Sequence, residues 1–307
     1  MVRTWLIGAA GLAVALGCGP AAAQLGIGAA DRERAKDPPG ERDDVGGPPS
    51  TPPLSERPER RIERANGVEF LRLPIAQPGP VVDLPDDNLF IDPSFEIYDR
   101  YDEGRVWWNF AERDSAVWHD FEIRDDRALS GERSAYAPLD SDTQGGQRAI
   151  QGVVQEVEAP DGMPRYLSGW YRVEDWQRGC KAQYLQIVVI VWDFQEQIRG
   201  QRWPNIQVAA TMAGVDGPPI RIGNRKFAIA GPVEPVQDEW VFFEFDLHEL
   251  FDFNWGIIPS KYGYLRVFYE VRYDDHTGFG PAAKADVWFD DLYIGDTSRL
   301  PTIAPGD

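Results

Sequence analysis

The sequence predicts an all-β domain, either a sandwich or a barrel. Many short runs alternate apolar and polar residues with the period of two expected of strands. Clusters of Gly, Pro, Asp and Asn separate these runs, and no long helical pattern appears. The chain has 307 residues with 11 Trp, 11 Tyr and 15 Phe, an aromatic content that argues against disorder of the whole chain.

Six runs give the clearest strand predictions, because each combines alternation with β-branched and aromatic residues. They are Ile150–Val157, Arg165–Val173, Gln183–Asp193, Trp240–Leu247, Tyr264–Tyr273 and Ala285–Ile294. The stretches D-G-M-P and A-G-V-D-G-P-P lie between runs and are typical of turns. The best helical candidate is the short stretch Leu247–Phe253.

Residues 1–23 have the pattern of a secretory signal peptide. Arg3 precedes an apolar run from Trp5 to Gly17, and Ala21, Ala22 and Ala23 come before Gln24. The stretch that ends in Cys18 also resembles a bacterial lipoprotein box, although Ala15 departs from the usual Leu. We therefore expect a secreted, periplasmic or cell-envelope protein, which contacts a membrane only if Cys18 is lipidated.

Residues 24–80 are predicted to be a disordered, Pro- and Gly-rich linker. Residues 37–60 alone contain seven Pro and three Gly. A segment of this composition cannot bury enough apolar surface to offset the conformational entropy that it would lose on folding. Val68–Leu73 alternates like a short strand, but Pro74, Pro78 and Pro80 follow it. The folded domain is predicted over residues 81–298, with a tail at 299–307.

Composition excludes several classes of function. The formal net charge is -19, from 31 Lys plus Arg and 50 Asp plus Glu, which argues against nucleic acid as a partner. The two cysteines rule out a disulfide framework and a Cys-based zinc site. Once the signal peptide is removed, Cys180 is a lone thiol, which we interpret as a packed small hydrophobe.

The polar faces of several predicted strands keep large aromatic residues beside Arg, Glu and Gln. An aromatic ring stacks on the apolar face of a sugar, and planar polar groups hydrogen-bond sugar hydroxyls. A glycan-binding β-sheet face is therefore predicted, although loops or the N-terminal segment could equally cover these rings. The candidate ligand-binding residues are Trp170, Arg172, Tyr184, Gln186, Trp192, Arg266, Glu270 and Arg272.

Five stretches occur in an order that resembles the CenC-like carbohydrate-binding modules and the wider galactose-binding-domain-like jelly rolls. They are D-P-S-F-E at 92–96, L-S-G-E-R-S-A at 129–135, Y-L-S-G-W-Y-R-V-E-D at 166–175, and the pair D-E-W-V-F-F-E-F-D-L at 238–247 and A-D-V-W-F-D-D-L-Y-I-G at 285–295. The resemblance covers most of residues 88–295. It implies a jelly-roll β-sandwich that binds a glycan or polysaccharide, with Gln195–Gln237 as an insertion beyond the usual module.

The resemblance also implies a structural calcium ion. The Glu of S-F-E and an Asp of the last strand supply carboxylates in that family, which places these roles on Glu96 and Asp290. The carbonyls of Ser94 and Arg133 are the weaker candidates. The alternative is that Glu96 and Arg133 form an ordinary ion pair.

An enzyme is not expected. Glu244, Asp246 and Glu249 fit the E-x-D-x-x-E spacing of laminarinase-like jelly-roll glycoside hydrolases, but Glu249 lies where the chain leaves the strand for a helical turn. We therefore predict a secreted, non-catalytic carbohydrate-binding protein. The alternative is a structural or adaptor protein of the cell envelope that uses the same face to bind a protein partner.

Overall fold

The computed structural model describes residues 61–65, 68–73, 83–97, 106–108, 117–118, 121–144, 146–179, 182–215 and 223–300. The signal-peptide prediction, Cys18 and Cys180 lie outside these residues. Within them, no helix is long and apolar enough to cross a membrane.

Fifteen strands and two short helices make up the described part of the chain. The strands are β1 Arg61–Ala65, β2 Val68–Arg72, β3 Val117–Trp118, β4 Glu122–Arg124, β5 Ser134–Asp140, β6 Ala149–Val157, β7 Tyr166–Gln177, β8 Ala182–Trp192, β9 Gln197–Ile198, β10 Gln201–Arg202, β11 Asn205–Ala213, β12 Arg225–Ile229, β13 Trp240–Asp246, β14 Tyr264–Asp274 and β15 Lys284–Gly295. The helices are α1 Ser141–Gln144 and α2 Leu247–Trp255.

The fold is a jelly-roll β-sandwich. Sheet A has the strand order β1-β2-β12-β11-β8-β14-β6-β3, and sheet B has the order β13-β7-β15-β5-β4. Successive long strands change sheet, since β5 and β7 lie in sheet B whereas β6 and β8 lie in sheet A. The same change repeats from β13 to β14 to β15, and most neighbouring strands are antiparallel. A separate hairpin pairs β9 with β10.

The inner faces of the two sheets share one hydrophobic core. Tyr269 of β14 lies at its centre, with ring centroids 6.3 Å from Phe243 of sheet B and 5.6 Å from Phe289 of sheet B. Each fully buried large apolar side chain contributes roughly 1.5–3 kcal/mol to stability. The alternation in the sequence predicted these inward faces of β7, β13 and β14, and burial confirms them.

Helix α2 follows β13 where the sequence predicted a helical stretch. Asp246 caps its N-terminus by accepting a hydrogen bond from the Glu249 backbone N–H at 3.0 Å. Gly256 ends it in the left-handed region, at φ 71°. Leu250, Phe251 and Trp255 bury its apolar side in the core.

All six predicted strand runs are confirmed, and sheet A also takes in two strands from the segment assigned to the linker. β1 and β2 lie inside the segment assigned to the linker, and β2 pairs with β12 through Leu71 and Ala228. Phe70 and Leu71 are buried, so sheet A begins at Arg61 rather than after residue 80. Residues Gln195–Gln237, predicted as an insertion beyond the usual module, contribute β11 and β12 to the middle of sheet A.

Candidate functional site

The eight predicted ligand-binding residues lie on two opposite faces of the sandwich. Residues paired directly across neighbouring strands share a face of the sheet. Trp170 and Arg172 of β7 lie on the outer face of sheet B. The other six lie together on the outer face of sheet A, on β8 and β14: Tyr184, Gln186, Trp192, Arg266, Glu270 and Arg272.

The outer face of sheet A divides into three zones along the strands. We call them the aromatic end, around Trp192 and Tyr264, the apolar row, around Val188 and Phe268, and the polar end, around Gln186 and Glu270. The aromatic end is half-buried, whereas the other two zones are shielded from solvent. A ligand therefore reaches this face first at the aromatic end.

Two rings stack at the aromatic end. Trp192 and Tyr264 are paired across β8 and β14, with centroids 6.3 Å apart and planes inclined by 16°. The Arg266 guanidinium lies 5.1 Å from the Trp192 centroid and 5.8 Å from that of Tyr264. Arg266 also donates from Nε to Glu156 Oε1 at 3.0 Å. Burial raises the pKa of Tyr264, so its hydroxyl stays protonated at neutral pH.

Planar amides on β11 and directly before β12 border the other side of Trp192. Asn205, which is paired with Trp192 across the strands, accepts through Oδ1 from Gln207 Nε2 at 3.0 Å and from Asn224 Nδ2 at 2.6 Å. Arg225 of β12 donates from Nε to Gln207 Oε1 at 2.7 Å. These bonds hold the amide and guanidinium planes beside the stacked rings. We call these four residues the amide ladder.

The apolar row lies between the aromatic end and the polar end. Val154, Val188, Ala209, Phe227 and Phe268 come from five neighbouring strands and form a hydrophobic cluster of their own, distinct from the core between the sheets. Ile190 extends this cluster towards Trp192, which packs against it.

The polar end is a buried network centred on Asp274. Asp274 accepts from the Tyr184 hydroxyl at 2.8 Å and from Arg272 Nη2 at 2.9 Å. Arg272 Nη1 lies 3.6 Å from Glu270 Oε1, which also accepts from Gln186 Nε2. Burial raises the pKa of the Tyr184 hydroxyl, which is therefore neutral. Burial opposes the charge of Arg272, but Tyr184, Glu270 and Asp274 outweigh it and raise its pKa.

Trp170 and Arg172 are not part of this face. Trp170 is only 1% exposed, packs against Phe242 at 5.2 Å between centroids, and is not accessible to a ligand. Arg299 of the C-terminal segment lies 5.5 Å from the Phe242 centroid and donates to the Asp291 carbonyl at 2.8 Å. Arg172 is paired with Glu174, since its Nε donates a hydrogen bond to Glu174 Oε1 at 2.5 Å.

The structure brings the predicted calcium residues to one corner of the sandwich. Glu96 Oε1 accepts from the backbone N–H groups of Glu132 and Arg133, at 2.9 and 2.8 Å. Asp290 Oδ2 accepts from the Leu129 N–H at 2.8 Å. Ser94 donates from Oγ to Asp291 Oδ1 at 2.6 Å.

The fit of this corner to calcium is partial. Its oxygens are of the type calcium prefers, and burial followed by the nearby Asp291 raises the pKa of Asp290 to about 8. However, N–H or O–H groups already hydrogen-bond to these carboxylates, and the described residues hold no group of three or more acidic, His or Cys side chains placed for a metal. Calcium therefore stays a prediction of the resemblance.

The three acidic residues with hydrolase spacing have other hydrogen bonds. Glu244 accepts from Ser298 Oγ at 2.5 Å and from the Arg299 N–H at 2.6 Å, and burial raises its pKa. Asp246 caps α2 and pairs with Arg165 at 3.2 Å. Glu249 lies in the first turn of the helix. These contacts attach the C-terminal segment and the helix to sheet B.

No protein-family model matches the chain, and no curated protein matches it. Among solved structures, it is similar to the C-terminal family 22 carbohydrate-binding module of Clostridium thermocellum Xyn10B, with 13% identity, a TM-score of 0.36, and coverage of 71% of this chain and 99% of that one. It is also similar to CBM28, a carbohydrate-binding module specific for non-crystalline cellulose, with 13% identity, a TM-score of 0.33, and coverage of 70% and 99%. A third similarity is to the enzymatically active domain of bacteriophage CBA120 tailspike protein 4, with 10% identity, a TM-score of 0.35, and coverage of 68% and 21%. At TM-scores this low, they identify neither a ligand nor a site residue of this chain.

The sequence analysis did not predict several residues that lie on the outer face of sheet A. Asn205, Gln207 and Thr211 lie on β11, and Arg225 lies on β12, both within the segment predicted as an insertion. The signal was present, because Asn205–Ala213 alternates polar and apolar residues. That alternation assigns the faces, with Ile206, Val208 and Met212 in the core between the sheets.

Proposed function

We propose that this protein is a secreted, non-catalytic carbohydrate-binding protein whose ligand lies on the outer face of sheet A. The observation that carries the proposal is the aromatic end, where the half-buried Trp192–Tyr264 stack is bordered by planar polar side chains on both sides. Arg266 and Glu156 lie on one side, and the amide ladder lies on the other.

This arrangement matches the chemistry of a sugar. A pyranose ring has an apolar face that packs on an aromatic ring, and equatorial hydroxyls that need hydrogen bonds in the plane around it. The amide ladder and the Arg266–Glu156 pair supply donors and acceptors held in fixed orientations. Preorganised groups lose less conformational entropy when a ligand binds.

The charge of this face favours a neutral glycan. Arg266 is paired with Glu156, and Arg272 is paired with Glu270 and Asp274. Because these pairs neutralise one another and the chain carries a net charge of -19, an anionic polymer would gain little here. We therefore expect xylan, mixed-linkage β-glucan, hydroxyethyl cellulose or galactomannan to bind, and polygalacturonate and alginate not to bind.

Affinity gel electrophoresis on these six polysaccharides tests the proposal, with wild type, Trp192→Ala and Trp240→Ala compared. Trp240 is a matched control because it is also half-buried and on a strand, but on the outer face of sheet B. We expect a neutral polysaccharide in the gel to slow the migration of wild type and Trp240→Ala. The migration of Trp192→Ala should be unchanged by the polysaccharide. Equal retardation of both variants would place the ligand elsewhere, and no retardation of folded wild type would reject the proposal.

A protein partner in the cell envelope is the second candidate. Trp, Tyr and Arg are also the residues that dominate protein–protein hot spots, and all three occur at the aromatic end. No polysaccharide binding by a folded wild type would favour this candidate.

We also propose that residues 1–23 direct export, and that lipidation at Cys18 would anchor the protein to a membrane. Mass spectrometry of the mature N-terminus tests both, because it identifies the first residue and any attached lipid.

A further inference from the structure

Strand β1 forms one edge of sheet A. No described strand pairs with its outer side, because the sheet begins at β1 and continues through β2 and β12. The edge of a sheet presents backbone donors and acceptors on which a strand of another chain can pair. The outer side of β1 is therefore a surface that fits an extended segment of a partner.

The backbone groups of Ile62 point to this edge. Leu73, directly after β2, donates its N–H to the Ile229 carbonyl at the end of β12 at 2.7 Å. Successive residues of a strand direct their backbone groups to opposite sides, so Phe70 directs its own towards β1, where it is paired with Glu63. Ile62 precedes Glu63, and its N–H and C=O therefore point away from β2.

The side chain of Ile62 is also exposed at this edge. Ile62 is paired with Leu71, which lies in the core between the sheets, so Ile62 is on the inner side of sheet A. Sheet B has five strands where sheet A has eight, and the described residues leave Ile62 62% exposed. A partner strand at this edge would cover an apolar side chain as well as backbone groups.

The charges of the β1–β2 hairpin leave one residue without a salt bridge. Arg64 pairs with Glu69, and Arg72 Nε donates to Glu63 Oε1 at 2.7 Å. Arg61 is exposed and forms no salt bridge with a described residue. The two strands carry three Arg and two Glu in a chain with a net charge of -19, so two copies can approach here without bringing acidic surfaces together.

Charge selects one register for the pairing of β1 with itself. When a two-fold axis relates two antiparallel strands, one residue lies opposite its own copy. An axis at Arg61, Glu63 or Arg64 would place like charges opposite each other, which is destabilising. Ala65 ends the strand, so an axis there would leave most of β1 unpaired. An axis at Ile62 packs the two exposed side chains together and places each Arg61 opposite Glu63 of the other copy.

We propose that β1 pairs with β1 of a second copy of this chain, antiparallel and centred on Ile62, to form a two-fold symmetric dimer. The N–H and C=O groups of Ile62 exchange hydrogen bonds between the copies, and sheet A becomes continuous across the dimer. A strand of five residues buries little surface, so the association is weak and depends on protein concentration.

The dimer has a consequence for glycan binding. Residues paired across the axis share a face, so the outer faces of sheet A lie on the same side of the continuous sheet. Two binding faces then meet one polysaccharide, which raises the apparent affinity without a new contact. This consequence rests on the proposed function, whereas the dimer itself does not.

The test uses Ile62→Lys and Ile62→Glu in the whole chain, measured by sedimentation velocity over a series of protein concentrations without glycan. We expect wild type to shift from monomer to dimer mass as concentration rises. Each variant alone should stay monomeric, because the axis places like charges opposite each other. An equimolar mixture of the two variants should form dimers again, because lysine then faces glutamate.

Ile91→Lys is the matched control. Ile91 is 58% exposed and lies in residues 83–97, outside every described strand. We expect this variant to dimerise as wild type does. A wild type that is monomeric at every concentration would overturn the proposal, and so would a dimer formed by either Ile62 variant alone or a monomeric mixture. None of these results depends on whether the protein binds a polysaccharide.

Discussion

The two outer faces of the sandwich have similar residue types but differ in how those residues are used. On sheet B, Arg127 and Arg172 both donate to Glu174, Tyr136 donates to Asp286, and the C-terminal segment lies over Phe242. On sheet A, the stacked rings of the aromatic end are half-buried, and of the described cationic groups only the Arg266 guanidinium lies close to both of them.

This comparison shows that residue type does not define a binding face. Trp170 and Trp192 both occur on the polar side of an alternating strand, and both have an indole N–H without a described partner. The two side chains differ in solvent exposure. Trp170 lies beneath neighbouring side chains, whereas Trp192 lies at the rim of its face and is half-buried. The comparison makes three predictions about stability and catalysis.

The largest expected effect is the loss of stability in Trp170→Ala. Removing a fully buried Trp costs roughly 3–5 kcal/mol of unfolding free energy, whereas Trp192→Ala removes a half-buried ring and should cost much less. Urea unfolding of both variants measures the difference. Equal free energies of unfolding would mean that the two rings are equally covered and would remove the distinction between the faces.

The next largest effect is expected from calcium, because an ion that binds only the folded state stabilises that state by mass action. The resemblance predicts that millimolar calcium raises Tm above its value in chelator by several degrees. It also predicts that Asp290→Asn, on β15 of sheet B, abolishes the rise. No change in Tm would mean that the hydrogen bonds of Glu96, Asp290 and Asp291 close the corner without an ion.

The smallest effect is expected from Glu244→Gln. Glu244 binds the backbone N–H of Arg299 and the hydroxyl of Ser298, so the variant should lower Tm slightly through the C-terminal segment. Assays of reducing-sugar release should find none from either wild type or variant. Release by wild type that the variant lacks would instead support the glycoside hydrolase alternative.

The sequence predicted the sandwich well because alternation reports which face of a strand enters the core, as burial along β13 shows most directly. It placed six of eight candidate residues on one face, since Tyr184 to Trp192 and Arg266 to Arg272 lie on neighbouring strands. It failed for Trp170, because which sheet a strand joins depends on long-range pairing. It also missed the amide ladder and Thr211, because flanking Gly and Pro hid the alternation of β11.

Hydroxyl-radical footprinting of wild type, with and without the polysaccharide that binds, tests the choice of face most directly. Oxidation of each aromatic side chain, read by mass spectrometry, reports whether the ligand covers it. If the outer face of sheet A is the binding surface, the ligand should lower the oxidation of Trp192 and Tyr264. The oxidation of Trp240 and Phe242 should not change. Protection of Trp240 and Phe242, with Trp192 still oxidised, would contradict it and move the ligand to sheet B.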